Sequence, residues 1–495
     1  MIDNFIAGSV ALFGDPFTIG IFVFGVIGGM LFGAIPGVSM LTLAAILLPF
    51  TASLEPAQGV MLFAVIYCTG TYGGAITAIL FNIPGAPENA PTAFDGYPMT
   101  RKGQSGKAVG AAVLCSAIGG ITSAIVMMAA TEPLANWAIS NIGPPEIFAL
   151  VFFGLAVASS VGGRTLWKGW MSVLLGLLIA TIGQDPVGGI NRYNFGFSDL
   201  AAGIAFVPAI LGFFAVSEIF VQAEKKAIGM YEAPKLSLDF PTILELWTHK
   251  IAVVRSILVG FFCGILPGIG ATLAAFMGYG EAVRWSKNKE SFGKGNLEGV
   301  ISSETANNAA TGAAMIPLLA LGLPGGALTA MMVAVFQMHD LEPGPLVFYN
   351  SPDLIWIVFA AMFYANVSIL FIGLIETKTI LHLLKIPFQF LAPMILLLAS
   401  IGSYIGRGLV LDVMVMFISG IMGFLLRRSG YSIPGIVLGI ILGKIGEQNF
   451  AQGMQMVHYD VLEYLSRPIC LLLIVAGSLT LLAGIYKALS FSFKS

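Results

Sequence analysis

Residues 29–37 read GMLFGAIPG, and residues 260–268 read GFFCGILPG. Both fit the pattern G-x-x-x-G-x-x-P-G, and they lie 231 positions apart. With 60 Gly and 25 Pro in 495 residues, chance would supply roughly 0.04 copies of such a pattern. Each copy sits inside a long apolar stretch. Helices interrupted at Pro-Gly in both halves of a duplicated chain are how many secondary transporters build a mid-membrane site.

The likeness between the halves runs further. Thr42-Leu-Ala-Ala45 matches Thr272-Leu-Ala-Ala275. At a spacing of 240, Asn82-Ile-Pro-Gly85 matches Gly322-Leu-Pro-Gly325, Thr71 falls on Thr311, and Ile76 falls on Ile316. The islands keep their order, and the prolines match as well as the small residues.

Composition points to the bilayer. The chain is 57% hydrophobic and only 10% charged, against about 25% charged in a soluble domain. Its mean hydropathy is +0.90. The expected fold is an all-α polytopic membrane protein of two inverted repeats, with broken helices, re-entrant hairpins and about 11–13 crossings. No run of alternating strands suggests a barrel. A net charge of −2 offers nothing to nucleic acid. Cys68, Cys115, Cys263 and Cys470 are scattered, with no metal-ligand spacing to any His.

Residues 1–221 read as the first repeat, 222–250 as a hydrophilic linker, and 251–495 as the second repeat plus a C-terminal helix. Lys225, Lys226, Lys235 and Lys250 place the linker in the cytoplasm by the positive-inside rule. The same rule implies inversion. The loop with Arg101, Lys102 and Lys107 is basic, while its counterpart near 337–353 has no Lys or Arg. The loop with Arg284, Lys287, Lys289 and Lys294 is basic, while its counterpart near 51–57 is not. Matched loops on opposite faces would carry opposite signatures.

Three elements carry candidate chemistry. The first is the stretch 302–311, SSETANNAAT. On a helix, Glu304, Asn307, Asn308 and Thr311 share one face, and Ala306, Ala309, Ala310 and Ala313 fill much of the rest. A carboxylate and two amides inside a membrane are costly unless they meet partners or a pathway, so Glu304 and Asn308 are the candidate ion-coupling residues. The second is the pair of breaks at Pro36, Gly37, Ser39 and at Pro267, Gly268, Gly270. A helix restarting there offers free N–H groups to an anion without a lysine, with Thr42 and Thr272 adding hydroxyls. The third is the loop pair Asn82, Pro84, Gly85 and Pro324, Gly325. The second of these loops has no charge near it and is expected to be buried; in the first, Glu88 and Asn89 also allow a surface loop. Asn307 and Thr311 complete the expected substrate-binding set. No cofactor is expected beyond Na⁺ or H⁺ as coupling ion.

These residues resemble the large membrane subunit of the tripartite tricarboxylate transporter family. The resemblance is carried by GILPGIGATLAAFMGYGEA (264–282), GNLEGVISSETANNAATGAAMIPLLALGLPGG (295–326), GAIPGVSMLTLAAILLPFT (33–51) and NIPGAPENAPTAFDGYPM (82–99). It implies uptake of a di- or tricarboxylate across a bacterial inner membrane, driven by an ion gradient. It also implies two partners, a periplasmic solute-binding protein and a small four-helix membrane subunit. The chain has no Walker A sequence, and it lacks HExxH and GxSxG. An intramembrane enzyme and a passive anion channel are the alternatives.

Overall fold

The computed structural model describes residues 1–35, 38–161, 165–185, 187–224, 241–266, 270–383 and 388–492. The breaks at Pro36, Gly37, Pro267 and Gly268 lie outside the described residues, as does most of the linker.

The described chain is helical apart from one two-residue strand pair, Gly183–Gln184 with Asn191–Arg192. The first half runs α1 (Ile2–Gly14), α2 (Pro16–Ala34), α3 (Met40–Leu47), α4 (Pro56–Phe81), α5 (Ala90–Arg101), α6 (Ser105–Asn141), α7 (Pro144–Val161) and α8 (Leu166–Ala180). It ends in α9 (Phe206–Ile210), a π-helical stretch at Leu211–Val216, and α10 (Ser217–Glu224). The second half runs α11 (Ile243–Thr248), α12 (Lys250–Ile265), α13 (Gly270–Trp285), α14 (Leu297–Leu321), α15 (Ala327–Met338), α16 (Val347–Asn350) and α17 (Pro352–Leu383). It closes with α18 (Phe388–Ile405), α19 (Val410–Arg428), α20 (Ile433–Met456), α21 (Val461–Ser466) and α22 (Pro468–Ser492).

Six helical spans among the described residues are long and apolar enough to cross a bilayer: Pro16–Ala34, Pro56–Phe81, Ser105–Asn141, Phe206–Glu224, Pro352–Gly373 and Val410–Arg428. Shorter apolar helices accompany them. The chain is a polytopic, multi-pass membrane protein. Helix α6 runs unbroken from Ser105 to Asn141, past the apolar residues 106–130. The N-terminal residues form a helix of their own, α1, packed on α17.

Small residues set how closely the central helices approach. A Cβ on Gly33 would overlap the Gly70 carbonyl, so α2 lies directly on α4. A Cβ on Gly260 would overlap the Ala306 carbonyl, and one on Gly264 would lie 2.6 Å from the Ala310 carbonyl, so α12 lies on α14. The alanines of 306–313 therefore pack, while Glu304 and Asn307 on another face meet polar partners.

Helices α4 and α14 run antiparallel. At one end, Thr100 donates to the Ile79 carbonyl (2.8 Å) and Lys102 donates to the Lys294 carbonyl (2.6 Å). Further along, Asn89 donates to the Thr71 carbonyl (2.8 Å), and Thr92 bonds Ser303 (2.9 Å). Beyond that, Cys68 and Thr311 lie 3.8 Å apart. Residue numbers fall along α4 as they rise along α14.

Both helices end alike. Asn82 and Gly322 adopt left-handed φ values of 58° and 74°, which Asn and Gly tolerate best. Ile83 N–H then bonds the Thr77 carbonyl (3.3 Å), and Leu323 N–H bonds the Pro317 carbonyl (3.0 Å). These wrap the helix end and satisfy its last carbonyls.

Candidate functional site

After Asn82 the chain doubles back along α4. Gly85 N–H donates to the Gly74 carbonyl (3.3 Å), and Asn89 reaches Thr71 before α5 begins. This path needs Gly85, because a Cβ there would overlap the Gly33 carbonyl. Glu88 and Asn89, which also read as residues of a surface loop, are buried. At Gly325 the neighbours are the Gly264 carbonyl (3.1 Å) and Ala314 Cα (3.2 Å) from a Cβ position. Pro324 and Gly325 are buried, as expected.

The doubled-back segment presents side chains to the polar face of α14. The Glu304 carboxylate is fully buried. It accepts hydrogen bonds from Thr92 Oγ1 (2.5 Å), Ser116 Oγ (3.0 Å), Asn307 Nδ2 (3.4 Å) and Asn89 Nδ2 (3.5 Å). All four donors are neutral. They come from α5, α6, α14 itself and the segment before α5. An ionised carboxylate removed from water loses several kcal/mol of hydration. Neutral donors offset only part of that, so this group suits a proton or a small cation.

Asn307 also donates to the Glu88 carbonyl (3.3 Å), and Asn308 donates to Asn307 Oδ1 (2.8 Å). Thr311 bonds the Asn308 carbonyl (2.8 Å). Asn89 Oδ1, Asn308 Oδ1 and Ser302 Oγ are buried with no hydrogen-bond partner among the described residues. Unpaired oxygens inside a protein are costly; Asn89 and Asn308 belong to the cluster around Glu304, whereas Ser302 lies towards α13.

A second carboxylate reaches the start of α13. Thr272 Oγ1 donates to Glu88 Oε2 (3.4 Å). Gly270 opens that helix with φ of 61°. Among the candidate residues, the structure thus brings together Thr272, Asn307, Asn308, Thr311, Glu304 and the 82–89 segment. Asn82 itself is exposed and serves as the left-handed cap of α4. Ser39 is the N-cap position of α3 without a side-chain cap bond, and Thr42 is buried on α3.

Sequence reading passed over Thr92, Ser116 and Asp95. Asp95 accepts from Gly295 N–H and Asn296 N–H (2.8 Å each) and from Tyr279 Oη (2.9 Å), fixing α5 against the start of α14. A lone serine in an apolar helix or a threonine near a proline carries no local signal. Outside the membrane-spanning helices, Glu245 is held below the usual carboxylate range by the Thr242 backbone N–H and by Lys107, 3.0 Å away.

A many-helix membrane bundle with a buried carboxylate held by neutral donors suits a transport protein. A match to the Tripartite tricarboxylate transporter TctA family covers residues 19–438. The chain belongs to that family and is the large membrane subunit of a tripartite transporter, not an enzyme. It is 35% identical over 460 residues to a 52.8 kDa protein in the TAR-I ttuC′ 3′ region of Agrobacterium vitis, covering 92% of this chain and 90% of that protein. It is 35% identical over 218 residues to a protein in the TAR-II ttuC′ 3′ region of the same organism, covering 44% of this chain and 90% of that protein. No solved structure matches. A tripartite family implies further transporter subunits.

Proposed function

We propose that this chain carries a small organic acid, of the di- or tricarboxylate class, across a bacterial inner membrane by secondary active uptake. A periplasmic solute-binding protein delivers the acid, and a small four-helix subunit completes the membrane complex. The carrier is two inverted repeats, 1–221 and 251–495, joined by a cytoplasmic linker over 222–250, with about 11–13 crossings and re-entrant segments. The antiparallel course of α4 and α14 supports this reading. So do the matched contacts of Gly85 with Gly33 and Gly74, and of Gly325 with Gly264 and Ala314, at spacings of 231 and 240.

One observation carries the proposal: the fully buried Glu304 carboxylate, held by neutral donors from α5, α6 and the segment before α5. Binding of H⁺ or Na⁺ there neutralises the site, and its release leaves a charge that the dry interior does not tolerate. The ion thus biases how the 82–101 segment packs on α14. Asn308 supplies a carbonyl oxygen for Na⁺. The acid binds at the breaks before α3 and α13, to N–H groups and the hydroxyls of Ser39, Thr42 and Thr272. Alternating access follows from movement of the elements bearing these breaks against the remaining helices.

Uptake of labelled succinate and citrate into proteoliposomes tests this, with and without the binding protein and an imposed Na⁺ or pH gradient. Accumulation above the outside concentration only with a gradient is expected. Downhill equilibration that ignores both gradients would make the chain a channel.

A further inference from the structure

We propose a second carboxylate-binding site, an outer cavity of about 370 Å³ that receives the acid before it reaches the buried cluster. It rests on the carboxylate reading given above. The cavity lies where helix ends converge: Pro49 after α3, Pro208 at the start of α9, Gln337 near the end of α15, and Ser403, Arg407 and Asp412 around the α18–α19 turn. The opposite ends of α10 and α19 carry the pairs Glu218–Arg427 and Glu224–Arg428, next to the linker. The cavity therefore opens on the face away from the linker, the face from which a delivered acid would come. Its volume falls in the lower range of small-molecule sites.

Its chemistry suits an anion. Asp412 is only 1% exposed and holds Arg407, accepting from Nε (2.9 Å) and from Nη2. Arg407 Nη1 donates to the Gly203 carbonyl (3.3 Å). Each Nη atom bears two hydrogens, so one hydrogen on each remains for a further acceptor. The Arg407 side chain is 26% exposed while its acid partner is sealed. The basic end of the pair faces outward. Beside it, Ser403 is 1% exposed and its Oγ has no hydrogen-bond partner among the described residues. A buried hydroxyl without a partner on the wall of a cavity is a donor waiting for an acceptor. Were the Arg407–Asp412 pair only a staple for the turn, it would leave Ser403 unexplained.

Labelling of a Gln337→Cys variant, whose side chain lines the same cavity and is exposed, tests the site without relying on transport. The native cysteines Cys68, Cys115, Cys263 and Cys470 are all buried, so background is low. A membrane-impermeant methanethiosulfonate is applied to vesicles from the side opposite the linker, with succinate or citrate present or absent. We expect labelling, slowed at least about threefold by one of the acids. Arg407→Gln in the same background should remove the protection, and Arg407→Lys should retain part of it. No labelling, or identical rates with and without both acids, overturns the outer site. Uptake by the unaltered chain is measured in parallel. Normal uptake with no protection sinks the outer cavity alone, whereas absence of uptake sinks the carboxylate reading itself.

Discussion

Two contacts at the centre of the molecule use positions 240 apart and opposite chemistry. Where α5 meets α14, Asn89, Thr92 and Asp95 face Gly299, Ser303, Glu304 and Asn307. Where α15 meets α4, Val335 packs on Gly59. The positions that correspond by spacing there are Thr329, Met332 and Val335, with Phe63, Ala64 and Tyr67 on α4. The backbone arrangement is alike, yet only one contact holds a carboxylate. Close packing of small residues sets the shape, and a few polar side chains set what the shape can do. In the proposed carrier this makes one ion-coupling cluster, not two.

The comparison breaks most sharply at Glu304. Glu304→Gln should lower gradient-driven uptake about 100-fold, roughly 2.7 kcal/mol on the rate-limiting barrier, and leave exchange of acid across the membrane intact. Ala64→Ser, at the apolar counterpart, should leave accumulation unchanged. Equal losses in the two variants would erase the distinction between the contacts.

The glycines sharpen it next. Gly85→Ala pushes a methyl into the Gly33 carbonyl, whereas Gly325→Ala meets Ala314 Cβ at 3.0 Å. Thermal unfolding in detergent should show Gly85→Ala costing about 1–3 kcal/mol, and more than Gly325→Ala. The reverse order would mean that the first segment packs less tightly than described.

Asn89 and Thr329 separate function from folding. Asn89 spans to Thr71 and Glu304, while among the described residues the Thr329 hydroxyl bonds Gly326 alone, accepting from its N–H at 2.8 Å and donating to its carbonyl at 3.0 Å. Asn89→Ala should reduce uptake about tenfold, roughly 1.4 kcal/mol. Thr329→Ala should cost stability of about 1 kcal/mol with uptake per folded molecule retained. Least affected is Lys107→Ala at the surface. Glu245 keeps a lowered pKa only with its donors in place. The pair's small contribution is present above the ordinary glutamate pKa and is lost as pH falls through the lowered value. A clear change in uptake at neutral pH would give this pair a part in transport.

Much of this was legible in the sequence. The polar stretch 302–311 stood out because amides and a carboxylate are rare among apolar neighbours, and the structure buries all of Glu304, Asn307, Asn308 and Thr311. The Gly-Pro islands marked the tight contacts of Gly85 and Gly325. Less legible were the partners of Glu304. Ser116 lies in an apolar helix, and Thr92 lies in a stretch whose Glu88, Asn89 and Asp95 suggest solvent. Their burial comes from α13 and α14, whose residues follow about 200 positions later and leave no trace in local periodicity. Helix α1 is hard to place from local sequence for a similar reason, since what it covers is α17.

That distance has a consequence for biosynthesis. The donors Asn89 and Ser116 precede Glu304 by 215 and 188 residues. At ribosomal rates the acceptor arrives roughly 10–40 s after its donors. Until then the early helices sit in the bilayer with Asn89, Thr92 and Ser116 lacking the Glu304 carboxylate they will share. A ribosome stalled before α14 would therefore leave behind a fragment whose polar side chains lack their acceptor in the bilayer, a form open to proteolysis.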